Sequence, residues 1–303
     1  VVCTQPRKLP ALALYKRVSE ECEGCTSLDR LVGCLTNSVS QHKHCLPHIL
    51  YSTDNVLLQL LLIDERLSQF GCVIIDEAHE RSLSTDLLLA MLKKCLPHRP
   101  DLKVVIMSAT ADTASICSYF GACAIYRVAG RTFPVQYIYE ASEEDDFQDI
   151  GTIRQSCPGN SRHVLHVVKV VTTIHSGKET GDVLAFLTSQ AEVEWACGQS
   201  FGSSAVVLPL HGKMLGGEQQ LVFQPTPVGT RKIIFATNVA ETSLTIPGIK
   251  FVVDCGLAKE RCVDASTGMN VLKLCKIDKS AAMQRAGRAG RTQAGVCYRL
   301  YSK

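Results

Sequence analysis

Two carboxylates and an imidazole stand close together at Asp76, Glu77 and His79, directly after the apolar run at 72–75. An acid at the end of a buried strand can hold Mg²⁺ through oxygen, and a second carboxylate beside it can take a proton from an attacking water. Strand-to-helix loops also carry Asp or Glu simply as caps, so the pair alone does not decide between the two. Its surroundings favour a site, because the next apolar run, 103–107, leads into Ser108-Ala109-Thr110. Near the other end of the chain, Gln284, Arg288 and Arg291 fall at i, i+4 and i+7, after Ser280 as an expected helix cap. On a helix these three share one face. Two guanidiniums and an amide suit a phosphate chain and the charge that develops on it during transfer. A solvated basic face is the plainer reading, but Gly287 and Gly290 weaken a helix that has no need of close approach.

Such groups need a scaffold to position them. Short apolar runs alternate with helical patterns along the chain, the signature of an α/β fold with a parallel sheet between helices. Strands are expected at 1–4, 72–76, 103–107, 182–187, 205–210, 232–236 and 251–254. Ser84 is expected to cap a helix whose Leu87, Leu88, Met91, Leu92 and Cys95 line one buried face. The stretch 257–277 alternates apolar and polar residues about a Ser-Thr-Gly turn, which reads as a β-hairpin. In an open parallel sheet ligands sit beyond the carboxyl ends of the strands. Here the apolar runs end in Thr4-Gln5-Pro6-Arg7, in Asp76-Glu77, in Thr188-Ser189-Gln190 and in Thr237-Asn238.

A length of 303 residues with 46% hydrophobic content is enough for two cores. The polar stretch 140–163 cannot bury a face, so the junction is placed just before it, giving domains at 1–134 and 135–303. A net charge of +3 is too small to argue by itself for an anionic partner. No run of 18 or more apolar residues occurs and no charged-then-apolar leader opens the chain, so a soluble intracellular protein is expected, in cytoplasm or nucleus. The 15 cysteines are odd in number and several lie in apolar runs, which reads as reduced thiols. Cys22, Cys25, Cys34, His42, His44 and Cys45 could offer zinc ligands, but without a second tight pair at finger spacing no zinc site is expected.

DEAH at 76–79, SAT at 108–110, TQPRK at 4–8, ATNVAETSLT at 236–245 and QRAGRAGR at 284–291 resemble motifs II, III, Ia, V and VI of the DEAH-box family of superfamily 2 RNA helicases. Their order also matches, and the similarity covers nearly the whole chain. The stretches 182–197 and 267–277 are most similar to the subgroup whose helicase core precedes a ring-between-ring zinc module. The resemblance implies two RecA-like lobes, each a mostly parallel sheet flanked by helices, with a β-hairpin inserted in the second. It implies ATP or another nucleoside triphosphate with Mg²⁺ in their cleft, and single-stranded RNA, or structured RNA with a single-stranded tail, across their top.

Residue by residue, the resemblance implies that Asp76 and Glu77 manage Mg²⁺ and the lytic water and that His79 links the acids to the far lobe. Ser108 and Thr110 would couple hydrolysis to lobe movement. Arg288 and Arg291 would be arginine fingers, with Gln284 helping to hold the water. Arg17 and Phe223 match the pair that sandwiches the adenine. Arg7, Lys8, Thr53, Asp54, Thr237 and Asn238 match RNA-contacting positions, where short hydroxyl, amide and basic groups read the backbone rather than the sequence. An activating protein partner belongs to the same expectation. The implied function is an NTP-driven RNA helicase or translocase moving 3′ to 5′. No GxxxxGK[ST] loop occurs in the chain, and in the family it lies upstream of Val1, so this chain alone is expected to be inactive. A non-catalytic RNA-binding scaffold on a decayed helicase core is the alternative.

Overall fold

A computed structural model of the chain describes residues 1–22, 31–36, 39–40, 47–109, 113–121, 123–128, 130, 133–140, 158–214, 218, 221–241, 245–264 and 267–303. It divides into two units, Val1–Val128 and Ala129–Lys303. The first holds β1 (Val2–Gln5), α1 (Lys8–Cys22), β2 (Val32–Thr36), β3 (Val39–Ser40), β4 (Ile49–Thr53), α2 (Asp54–Ile63), β5 (Cys72–Ile75), α3 (Leu83–Cys95), β6 (Lys103–Ile106) and α4 (Thr113–Phe120). Its strands run in the order β3-β2-β4-β1-β5-β6, and only β3 is antiparallel to its neighbour. Central β1 is buried at every position, as a strand covered on both faces must be. At the edge, Val105 of β6 is 43% exposed and Met107, just after it, 41%.

The second unit holds β7 (Val135–Tyr139), α5 (Arg162–Ser176), β8 (Asp182–Phe186), α6 (Gln190–Cys197), β9 (Ala205–Leu210), β10 (Arg231–Ala236), β11 (Ile249–Asp254), β12 (Leu257–Val263), β13 (Asn270–Lys276), α7 (Lys279–Ala286) and β14 (Gly295–Arg299). The order β7-β14-β11-β8-β10-β9 is parallel throughout. Strands β12 and β13 form the expected antiparallel hairpin. On α5, Val164, Val167, Val171 and Ile174 recur at helical spacing and pack into the core with Val183, Ile233 and Val253.

Several local expectations shift. Helix α3 is capped by Ser82 rather than Ser84, since Ser82 Oγ accepts from the Thr85 amide at 3.1 Å. Its buried face is accordingly Thr85, Leu88, Leu89, Leu92 and Cys95, while Leu87 is 46% exposed. Helix α7 is capped by Asp278, whose Oδ1 accepts from Ala281 N–H at 2.6 Å, rather than by Ser280. It ends at Ala286, so Arg288 and Arg291 lie beyond it and do not share a helical face with Gln284. The division of the chain also falls a few residues before the expected junction: Phe133 N–H donates to Gly290 O and Gly295 N–H to Pro134 O, which ties this stretch to the second unit. Strands β2, β4, β7 and β14 had no counterpart in the apolar runs, because each mixes polar residues or glycine into a short segment.

Candidate functional site

In the first unit the carboxyl ends of β1, β4, β5 and β6 lie side by side, with Thr4 opposite Ile75 and Ile75 opposite Ile106. The chain leaving β5 is held at both sides: Asp76 N–H donates to Thr4 O, and Ala78 N–H to Met107 O. Buried Gln5 donates from Nε2 to Asp76 Oδ2 at 2.5 Å, and Glu77 N–H donates to Asp76 Oδ1 at 2.8 Å. Both carboxylate oxygens of Asp76 are therefore oriented. Burial pushes this carboxyl above the ordinary Asp range, although the Gln5 amide opposes the shift, and the Glu77 charge adds to it. Glu77 itself stands in the left-handed region, φ 53°, a conformation uncommon for a residue with a Cβ and found preferentially at functional sites.

His79 is almost fully buried and bridges two motifs. Its Nδ1 accepts from Ala109 N–H at 3.2 Å, which in the neutral ring leaves the proton on Nε2, 3.4 Å from Glu77 Oε2. The imidazole thus joins the acids to the Ser108-Ala109 segment within this unit. A cleft of about 430 Å³ opens beside it, lined by His79, Arg81, Ser108, Ser115 and Tyr119 among others. Thr110 lies outside the described residues.

In the second unit the stretch after α7 is shaped by close packing. A Cβ on Gly290 would meet Phe133 O at 2.6 Å and Val135 Cγ2 at 2.8 Å, so the close approach that the glycines hinted at is real at this position. Arg288 is nearly buried and donates to Gln284 O at 3.3 Å, while Arg291 donates to the Thr245 hydroxyl. Sequence reasoning passed over Arg285, which organises the region. Fully buried, it donates to Glu241 Oε1 and Asp254 Oδ1, each at 2.7 Å, and to Leu257 O at 3.2 Å. Burial opposes its charge, but the carboxylates of Asp254 and Glu241 overcome this and hold it above the ordinary arginine range. Asp254 also accepts from Gly256 N–H and from the Tyr301 hydroxyl. One guanidinium thus binds the stretch 236–241, the base of the hairpin and QRAGRAGR to each other. The signal was an acid ending the apolar run 251–254, visible but unmatched to a partner.

The expected nucleic-acid and base-stacking residues divide. Lys8 is exposed at the start of α1, Arg7 pairs with Glu80 at 3.3 Å, and Thr237 and Asn238 follow β10 half-buried. Asp54 is only 1% exposed and takes the Thr85 hydroxyl at 2.5 Å, so its carboxylate faces the interior and not a passing strand of nucleic acid. Thr53 is 6% exposed and is almost as enclosed. Arg17 is well exposed and pairs with Glu21. Phe223 is partly buried while its neighbour Val222 is fully buried, and the carbonyls of Val222 and Gln224 are both taken by Lys232 Nζ. Of the cysteines and histidines weighed for zinc, Cys25, His42, His44 and Cys45 lie outside the described residues, and Cys34 is buried in β2.

The acids fit a magnesium-bound nucleotide. Mg²⁺ takes oxygen ligands, commonly one or two carboxylates with the rest from phosphate and water, and Asp76 with Glu77 is such a donor set. A divalent cation would also offset the burial, and the lesser Glu77 repulsion, that keep Asp76 above its ordinary range.

Residues 1–117 match the DEAD/DEAH box helicase model, and residues 163–293 match the helicase conserved C-terminal domain. Across its whole length the chain is 52% identical to each of two Arabidopsis thaliana proteins, the chloroplastic ATP-dependent RNA helicases DEAH12 and DEAH11. It is 39% identical to the Schizosaccharomyces pombe pre-mRNA-splicing factor ATP-dependent RNA helicase prp22 over 99% of the chain. The chain spans 16% of the length of each plant relative and 25% of prp22. Among solved structures, the Escherichia coli DEAH/RHA helicase HrpB superposes with a TM-score of 0.84 at 32% identity, covering 100% of this chain and 37% of that one.

Proposed function

The chain belongs to the DEAD/DEAH box helicases, and on that premise we propose that it is the core of an ATP-driven RNA helicase that moves 3′ to 5′ along single-stranded RNA. The observation that carries this reading is the arrangement at the end of β5: Asp76 fixed by Gln5, and Glu77 held in a left-handed turn beside His79. Asp76 and Glu77 would hold Mg²⁺, which when bound neutralises the phosphate oxygens and polarises the terminal phosphoryl group. Glu77 accepts the proton of the attacking water, and His79 keeps that carboxylate aimed while tying it to Ser108-Ala109. Arg288 and Arg291 offset the charge that develops on the transferred group, with Gln284 steadying the water.

Arg7, Lys8, Thr237 and Asn238 are the groups we assign to the RNA backbone. Asp54 is withdrawn from that set, and Thr53 contributes through its place at the strand end. Phe223, whose flanking carbonyls Lys232 holds, and Arg17 are assigned to the adenine. Hydrolysis further requires a Gly-rich Lys-Ser/Thr loop, and no GxxxxGK[ST] match occurs in residues 1–303.

In a chain carrying that loop, Glu77→Gln lowers RNA-stimulated phosphate release by about 10²–10⁴-fold, the usual worth of a general base, with RNA binding retained. Equal release by both proteins overturns the assignment, and absence of release from the parent favours the scaffold reading. Unwinding of a duplex with a 3′ tail but not of one with a 5′ tail tests the direction.

A further inference from the structure

Beyond the SAT segment lies chemistry that hydrolysis does not use. Helix α4 carries Cys117 and ends at Phe120, and Gly121 then takes the left-handed turn, φ 87°, that glycine adopts without strain. The chain is thereby returned toward the helix, and the Cys123 thiol stands 2.7 Å from Cys117 Sγ. Cys123 is exposed and Cys117 partly so. Hydrogen bonding with Cys123 holds the Cys117 thiol above its ordinary range, an effect of two sulfurs sharing a proton. Four cysteines elsewhere are different: burial pushes Cys3, Cys197, Cys255 and Cys297 each up to about 12, which keeps them as inert thiols.

We propose that Cys117 and Cys123 are a modification site, forming a reversible disulfide by exchange with a low-molecular-weight disulfide such as glutathione disulfide. Closing the remaining gap to an S–S bond of ~2.05 Å takes a movement of well under 1 Å. The exposed Cys123 thiolate attacks one sulfur of the oxidant and expels a glutathione thiolate. Cys117, as thiolate, then attacks Cys123 Sγ in the mixed disulfide and expels the second. One S–S bond is lost and one gained, both protein protons leave to two glutathione thiols, and the two electrons pass to glutathione. The bond would fix the last turn of α4, whose Ser115, Ile116, Tyr119 and Phe120 line the cleft shared with His79 and Ser108. This inference stands on the thiol geometry and is independent of the proposed hydrolysis.

The test is peptide mass mapping of the purified chain after incubation with glutathione disulfide and alkylation. The expected product is a peptide containing both cysteines, lighter by two hydrogens than its reduced form and returned to it by dithiothreitol. Cys123→Ser abolishes that product, and Cys117→Ser leaves glutathione attached to Cys123. Separate alkylation of Cys117 and Cys123 in the parent protein, under conditions where the same glutathione disulfide fully oxidises added dithiothreitol, overturns the proposal. So does a Cys123 disulfide to a different partner. The parent protein decides the question by itself, whatever the folding of the variants.

Discussion

Single residues divide into those whose role is local and those whose role is set by a distant partner. The placement of Asp76 and Glu77 at the end of β5 was legible because an acid at the end of an apolar run announces itself within a few residues. Asp54 was not, because only the packing of α2 against α3 places Thr85 over it. Burial raises its carboxyl above the ordinary Asp range, the nearby hydroxyls of Thr4 and Thr85 oppose this, and the Glu80 charge adds to it. A raised folded-state value means that the folded chain binds the proton more tightly than the unfolded one. Stability of the first unit therefore falls as pH rises from about 3.9, the unfolded Asp value, through the folded value, and is level above it. Hydrogen exchange of α2 amides against pH should show this decline, and Asp54→Asn should flatten it; an unchanged slope in the variant removes Asp54 as its source. Arg285 is the sharper case. Removing one partner of a buried charge cluster costs about 3–5 kcal/mol, so Arg285→Met should lower the urea midpoint of the second unit, read from Trp195 fluorescence, by a corresponding amount. A shift under 1 kcal/mol would mean that Glu241 and Asp254 find other donors.

Elements follow the same division between short-range and long-range causes. Buried parallel strands such as β8 and β10 were readable as unbroken apolar runs, whereas β2 (VGCLT) and β14 (GVCYR) become strands only because neighbours supply their hydrogen bonds. The start of α3 shows how a small local choice moves a whole face. Taking Ser84 as the cap makes Leu87 a core residue; with Ser82 as the cap, Thr85 and Leu89 turn inward and Leu87 turns to solvent. Ser82→Ala should therefore cost about 0.5–2 kcal/mol, the worth of an N-cap, while Ser84→Ala, inside the first turn, should change stability by less than about 0.5 kcal/mol. Denaturant titration of the two variants distinguishes the alternatives, and a larger loss at Ser84 would restore the reading from spacing. In α7 the end of the helix matters more than its start. Stopping at Ala286 lets Gly290 pack against Phe133 and sets Arg291 on Thr245, an arrangement that a continued helix with its three-residue face would not make.

At the scale of the whole chain, the division into two units was foreshadowed by the polar stretch at 140–163, but its position was not. The boundary is drawn by β7, which pairs with β14 at the far end of the chain, a contact that no local composition reveals. Among the described residues each unit closes its own apolar core: the buried residues of one cluster lie between Val2 and Leu102, those of the other between Val164 and Leu300. A domain is recognised by such a contiguous core, and the Arg285 cluster is likewise contained within the second unit. It follows that residues 129–303, expressed without the first unit, should fold. Their amides in β8, β10 and β11 should show the hydrogen-exchange protection that they have in the whole chain. Loss of protection in those central strands would mean that the second core depends on surface supplied from outside it. The same result would also undercut the use of Arg285→Met as a probe of one unit alone, since a shared core would spread the penalty across both.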